Sequence, residues 1–333
     1  MERELTLEFV RVTEAAALAA APWMGKGDKE GADQAAVDAM RAVFDTVNIK
    51  GTVVIGEGEK DEAPMLYTGE CVGCGESIEL DIAVDPVEGT TLVAKGLPNS
   101  LAVVAAAPKG NLLNAPDMYM EKVATGPDAK GAIDLDASPT ENLKSVAEAK
   151  GKKVTDMTVI LLDRDRHREI IKEVREAGAR IKLISDGDVA GAIATALEHT
   201  GVDMLIGTGG APEGVLTAAA LKCLGGDMQA RLAPRNQAET EKALAMGIED
   251  IEQIFGVEDL VQGDDAMFSV TGITNGELLR GVQYYGGERA ETHSIVMRSK
   301  TGTVRNIKAQ HKIKQKPNYF QNGIRKSKEG VNN

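Results

Sequence analysis

Aromatic residues are scarce in this 333-residue chain: five Phe, five Tyr and one Trp, 3% in all. A core of the size such a chain can bury must therefore be filled by Val, Ile, Leu, Met and Ala. Cysteine is rarer still. The three present cannot all pair within one chain, and a chain this long has no need of disulfide staples. Only four histidines occur, so the Cys71-Val-Gly-Cys74 motif has one further thiol, Cys223, and no nearby imidazole to complete a zinc site. It reads as a surface turn, with redox sensing and metal binding as the alternatives. Long apolar runs are missing too. No stretch approaches the ~20 residues of a membrane span, and Glu2, Glu4, Glu8 and Glu14 interrupt an N-terminus that lacks the basic start of a secretory signal. A cytoplasmic protein is the expectation. Net positive charge is also absent: 38 Lys and Arg against 51 Asp and Glu give −13. Nucleic acid and anionic membranes are thus not expected partners. Anionic substrates are repelled as well, so a phosphate-handling site in this chain must supply its own cations.

What is present is a regular alternation. Residues 5–47 read as helix, with Val37, Met40, Val43 and Phe44 at helical spacing. "GTVVIG", "IELDIAVD" and "SLAVVAAAP" read as strands, and strand character continues to about residue 126. A stretch rich in Asp, Ser, Pro and Asn, "DLDASPTEN", suggests a domain boundary. The expected parts are residues 1–140, residues 141–320 and a basic tail, 321–333. In the second part "VTDMTVILLD", "RIKLIS" and "VDMLIGT" alternate with helical segments, which predicts βαβ crossovers and a largely parallel sheet. From Lys300 onward nine Lys and Arg stand against one Glu, as in a solvated end or an interaction patch.

In open α/β sheets ligands bind beyond the carboxyl ends of the strands, and carboxylates recur there. Glu57 and Glu59 follow "TVVIG", "DPVEGT" (Asp85–Thr90) follows "IELDIAV", "DRDRH" follows "MTVILL", "DGD" (Asp186–Asp188) follows "RIKLIS", and "GGAPEG" follows "DMLIGT". Each has a purely structural explanation. Asp33 can favour a helix N-terminus, Asp85-Pro86 can start a turn, Asp186 and Asp188 can cap, and Glu213 suits a first helical turn. Recurrence at five strand ends points instead to one shared cleft. Oxygen donors without cysteine suit hard cations, Mg2+ or Mn2+. Arg164, Arg166 and glycine-rich helix starts offer grips for phosphate. No Walker loop and no dinucleotide fingerprint is present. Cations with phosphate grips and no nucleotide loop indicate metal-assisted hydrolysis of a phosphate ester.

"DPVEGT" resembles the Asp-Pro-(Ile/Val)-(Asp/Glu)-Gly-Thr signature of the lithium-sensitive, magnesium-dependent sugar and inositol phosphatases. With "GTVVIGEGEKDEAPMLYTGE", "LNAPDMYMEK", "DGDVAGAI" and "GGAPEGVLTAAALKCLGGDMQARL", the chain from about residue 3 to 300 resembles the bacterial class II fructose-1,6-bisphosphatases. That resemblance implies a layered α/β fold of the α-β-α-β-α type in two packed parts. It implies hydrolysis of the 1-phosphate of fructose 1,6-bisphosphate with Mg2+ or Mn2+, and a homodimer or homotetramer. By motif, Asp33, Glu57, Asp85, Glu88 and Glu213 match the metal ligands, with Glu57 and Asp85 also counted as catalytic. Glu88, Gly89 and Thr90 match substrate contacts, and Thr90 the group that positions or activates the attacking water. Tyr119, Arg164, Asp165, Arg166, Asp186, Gly187, Asp188 and Gly210 match positions that hold the sugar and the distal phosphate.

The chain departs from the pattern at Asp165, where many relatives have proline. A carboxylate there either weakens the distal phosphate site or points to solvent. Sedoheptulose 1,7-bisphosphate is an alternative or additional substrate, because a pocket gains little discrimination from one carbon unit. A non-catalytic sugar-phosphate-binding regulator is the reading from another class, against which the intact set of acids and Thr90 stands.

Overall fold

A computed structural model describes residues 1, 4–59, 65–286 and 288–316; the tail expected at 321–333 lies outside them. The chain forms two units. Among the described residues, one comprises Met1–Gly110, Met267–Arg298 and 303–316; the other comprises Asn111–Ala266 with Ser299–Gly302. The "DLDASPTEN" stretch lies within the second unit, where Ser138 and Glu141 form a capping box on the helix Pro139–Ala149.

In the first unit the helices Leu5–Ala20 and Lys29–Phe44 pack on each other and on a mixed sheet. The helix expected over 5–47 is broken at 21–28. Pro22 starts a short 3-10 turn there, and Asp28 caps the second helix by accepting from the Gly31 N–H at 2.8 Å. Across the sheet run Gln283–Tyr285, Arg289–Arg298, Met267–Gly272, Leu101–Pro108, Glu79–Glu88, Lys50–Ile55 and Cys71–Val72, with Thr303–Lys312 also paired to Arg289–Arg298. Among the described residues of this sheet only Lys50–Ile55 and Glu79–Glu88 pair in parallel. Ala15, Ala16, Ala19 and Ala20 are buried on the first helix, and these small side chains let a core poor in aromatics close tightly around Phe9, Phe44, Leu18, Met40 and Ile82.

In the second unit the sheet order is Phe255–Gly256, Asp227–Ala233, Tyr119–Thr125, Met204–Gly210, Thr158–Leu162, Arg180–Ile184. The expected crossovers are present, but the sheet is less parallel than the alternation suggested. Met204–Gly210, Thr158–Leu162 and Arg180–Ile184 pair in parallel. The earlier strand Tyr119–Thr125 is inserted antiparallel between Met204–Gly210 and Asp227–Ala233. Periodicity reveals strand and helix, but not which earlier segment will claim a place between two later ones. On one sheet face Val123, Val159, Leu161, Met204 and Ile206 meet Leu143, Val146, Ile171 and Val174 of two helices. The helices Asp188–Thr195 and Ala211–Leu224 also pack on this sheet.

Buried polar groups tie the first helix to its sheet. The Thr271 hydroxyl donates to Thr13 at 2.8 Å and lies 2.7 Å from the Ser294 hydroxyl. At the next helix residue, the Thr292 hydroxyl donates to Glu14 at 3.0 Å and lies 2.8 Å from His311 Nε2. Having given its one proton to Glu14, Thr292 must accept from Nε2–H, which fixes the neutral tautomer of His311. Burial pushes His311 down to about 4, with Lys316 adding to the effect, while burial lifts the Glu14 carboxyl. A histidine lowered in the folded state withholds a proton that the unfolded chain binds, so stability falls as pH drops from 6.5 toward 4. Glu14 acts in the opposite sense and remains when His311 is replaced. The expected outcome is that wild type loses about 2 kcal/mol more than H311Q between roughly pH 7 and pH 4.5, measured by urea unfolding. Equal losses would remove His311 from the acid sensitivity.

Candidate active site

The first unit brings together four of the acids that the sequence singles out. Asp33 projects from the second helix, Glu57 follows the strand Lys50–Ile55, and Asp85 and Glu88 sit on its parallel neighbour. Asp33 and Glu57 share a hydrogen bond. Two carboxylates so joined need a proton between them. Burial, reinforced by the charges of Asp33 and Asp85, pushes Glu57 up to about 9, so it is Glu57 that holds the proton. Burial lifts Asp33 as well. This donor set fits a hard divalent cation: all oxygen, crowded and partly desolvated.

Asp85 and Glu88 are three residues apart, and in a regular strand such residues face opposite sides. Here the ladder to Leu101–Pro108 slips. Asp85 pairs with Val103 but Glu88 with Leu101, so two residues, Pro86 and Val87, oppose one. This bulge restores both carboxylates to one side, and their oxygens come within 4.8 Å of each other. A bulge also tolerates Pro86, which has no N–H to give a ladder. Asp85 Oδ1 accepts from the Val87 N–H at 3.0 Å and so steadies the turn. Beyond Glu88 the chain passes through left-handed Gly89 (φ 82°) into the short helix Thr90–Lys95, which sets Thr90 two residues after the second acid.

The second unit assembles the other predicted residues at the carboxyl ends of its parallel strands. Tyr119 joins them because its strand runs antiparallel and begins where Met204–Gly210 ends, opposite Gly210. The Arg166 guanidinium lies 4.7 Å from the centre of the Tyr119 ring and donates from Nε and Nη2 to the Thr208 carbonyl at 3.2 and 2.6 Å. Arg164 donates to the Asp163 carbonyl at 3.2 Å. Asp165, the departure from the family pattern, turns outward and pairs with Arg168 at 2.7 Å on an exposed surface. Gly187 is left-handed (φ 86°) and opens the helix that starts at Asp188, with Asp186 half-buried just before it. Glu213 lies in the first turn of Ala211–Leu224 and folds back over Gly210. A Cβ at Gly210 would stand 1.9 Å from its Oε2, so a larger residue there would push the Glu213 carboxylate out of this position.

The family described as bacterial fructose-1,6-bisphosphatase, glpX-encoded, matches residues 3–311. The chain belongs to that family. A class 2 fructose-1,6-bisphosphatase of Haemophilus influenzae is 47% identical over 324 residues, covering 93% of this chain and 97% of the relative. Two proteins of Synechococcus sp. are each 46% identical and carry the double name D-fructose 1,6-bisphosphatase class 2/sedoheptulose 1,7-bisphosphatase. The alignment covers 93% of this chain and 96% of the relative for strain JA-2-3B'a(2-13), and 96% and 99% for strain JA-3-3Ab. Among the described residues no helix is long and apolar enough to cross a membrane.

Three residues of this bisphosphatase-family chain escaped the sequence reading. Lys122 is buried, forms an ion pair with Asp188, and donates to the Gly210 carbonyl at 3.1 Å. It was legible in principle: strand alternation puts it on the side of buried Met120 and Ala124, an odd place for a lysine. Arg235 lies 5.3 Å from the Tyr119 ring centre, and no sequence signal marks it. His167 stands between two strand ends. The Lys122–Asp188 pair yields a stability prediction. K122M strands a buried carboxylate and should cost about 3–5 kcal/mol, while K122M/D188N should cost clearly less, both by urea unfolding. Strictly additive losses would show that the pair is not coupled.

Proposed function

We propose that the enzyme hydrolyses the 1-phosphate of fructose 1,6-bisphosphate, giving fructose 6-phosphate and inorganic phosphate, with Mg2+ or Mn2+ as cofactor. The fructose-1,6-bisphosphatase activity follows from the family. The observation that carries the metal assignment is the packing of carboxylates, Asp33 against Glu57 and Asp85 within 4.8 Å of Glu88: carboxylates this close call for a positive charge in their midst. Asp33, Glu57, Asp85 and Glu88, with Glu213 as the family motif adds it, are the ligands. Bound there, a divalent ion lowers the pKa of water and stabilises charge on the phosphoryl oxygens.

The chain's own groups do the remaining work. Thr90 orients the attacking water and, with Glu88 and Gly89, addresses the scissile phosphate. Tyr119, the segment Arg164–Arg166, Asp186–Asp188 and Gly210 hold the sugar and the distal phosphate. Arg166 supplies a delocalised cation already fixed by Thr208 and Tyr119, which offsets the repulsion between a chain of net charge −13 and an anionic substrate. With Asp165 pointing outward to Arg168, its carboxylate need not oppose that phosphate. A second substrate, sedoheptulose 1,7-bisphosphate, is supported by the names of the Synechococcus relatives. A cytoplasmic homodimer or homotetramer fits the family. Three free thiols, two of them exposed, suit a reducing compartment.

The test is phosphate release from fructose 1,6-bisphosphate, sedoheptulose 1,7-bisphosphate and inositol 1-phosphate, each with Mg2+, Mn2+ or EDTA. Metal-dependent release of one phosphate from the fructose ester is expected, abolished by EDTA. Release that survives EDTA would remove the metal assignment. T90A should lower kcat by about 100-fold or more with little change in KM, because the hydroxyl acts mainly in the transition state. An unchanged kcat ends that role. E213Q should raise the metal concentration needed for half-maximal rate, and a titration identical to wild type would strike Glu213 from the ligands.

A further inference from the structure

His167 has no role in the reading above, yet it is almost wholly buried, with 1% of its surface exposed, directly after Arg164–Arg166. Its Nδ1 lies 2.7 Å from the Leu162 carbonyl, and the Thr208 N–H donates to its Nε2 at 2.8 Å. A backbone N–H can only donate, so Nε2 is the bare nitrogen and Nδ1–H serves Leu162. The ring is neutral in this arrangement, and burial, with Arg166 and Arg164 nearby, keeps its pKa below the usual range.

The two partners belong to neighbouring parallel strands whose ladder pairs only Val159 with Met204 and Ile160 with Leu205. Past that point the strands have no rungs between them, and the imidazole spans the gap. Gly207 makes room for it. A Cβ at Gly207 would stand 3.0 Å from His167 Cε1 and 3.1 Å from Nε2. The ring therefore fixes Thr208 from its N–H side, while Arg166 grips the carbonyl of the same residue with two nitrogens. Consecutive side chains thus hold the two peptide groups that flank Thr208, and the Arg166 guanidinium lies over the Tyr119 ring.

We propose that His167 is a positioning residue for the distal phosphate: it sets the spacing of the two strand ends so that Arg166 is oriented before substrate arrives. The inference rests on the reading that Arg164–Arg166 holds that phosphate. Asparagine keeps a donor near the Nδ1 position but removes the acceptor, whereas glutamine places an oxygen near the Nε2 position. The readout is the ratio of kcat/KM for fructose 1,6-bisphosphate to that for fructose 1-phosphate, which lacks the distal group. H167N should lower the ratio about 10-fold, mostly through KM for the bisphosphate, as for loss of one well-placed contact. H167Q, which keeps an acceptor for the Thr208 N–H but loses the donor to Leu162, should lower the ratio less than H167N, by about threefold. If H167N does not fold, H167Q decides the matter by the same ratio; G207A would be a poor substitute, because Gly207 has φ 143° and a side chain there strains the backbone as well as crowding the ring. A merely structural role would depress both substrates alike, and that result, or an unchanged ratio in a folded variant, overturns the proposal. R166Q is measured in parallel. If R166Q lowers the ratio and H167N does not, the positioning role alone is wrong; if neither does, the distal phosphate assignment has failed.

Discussion

Repulsion between like charges is the constraint on which the rest of this structure depends. An acidic chain has gathered Asp33, Glu57, Asp85 and Glu88 in its first unit, and without a cation it can keep Asp33 and Glu57 in contact only by leaving a proton between them. Elsewhere the chain answers the same problem with covalently fixed cations. Lys122 neutralises Asp188 inside the second unit, and Lys150 and Lys152 both bind Asp203, which lies at the start of the strand Met204–Gly210. The contrast is functional. Where a lysine fills the gap the arrangement is permanent; a divalent ion, as proposed for the acids of the first unit, could be exchanged.

Much of this was legible in the sequence. Carboxylates at strand ends, the "DPVEGT" run and the alternation of strand and helix after residue 150 each carry a local signal, because periodicity and turn chemistry act over a few residues. What could not be read depends on long-range partners. The crossover strands keep a common direction, but the insertion of Tyr119–Thr125 among them is decided by contacts with residues some eighty positions away. The grouping of Asp85 with Glu88 on one side depends on a slipped register against Val103 and Leu101. His167 reads as an ordinary helix-start residue until Thr208 appears beside it.

A shortage of aromatic residues shapes the scaffold in a related way. With alanine in place of large side chains, helix and sheet in the first unit come close enough for Thr13, Thr271, Ser269 and Ser294 to bond across the interface. Such bonds add modest net stability but leave little freedom in how the elements sit. A site built from strand ends gains from that, since its groups inherit the precision of the layers that carry them.

The bulge at Pro86–Val87 also governs how this gene can change. Deleting either residue would return the strand to a regular ladder with Leu101–Pro108, an improvement by the standards of sheet pairing. It would equally swing one of the two acids to the far face. Substitutions here leave the geometry open to repair, but a single-codon deletion does not. In this segment the placement of the acids depends on chain length more than on side-chain identity, and the irregular ladder is what holds them together.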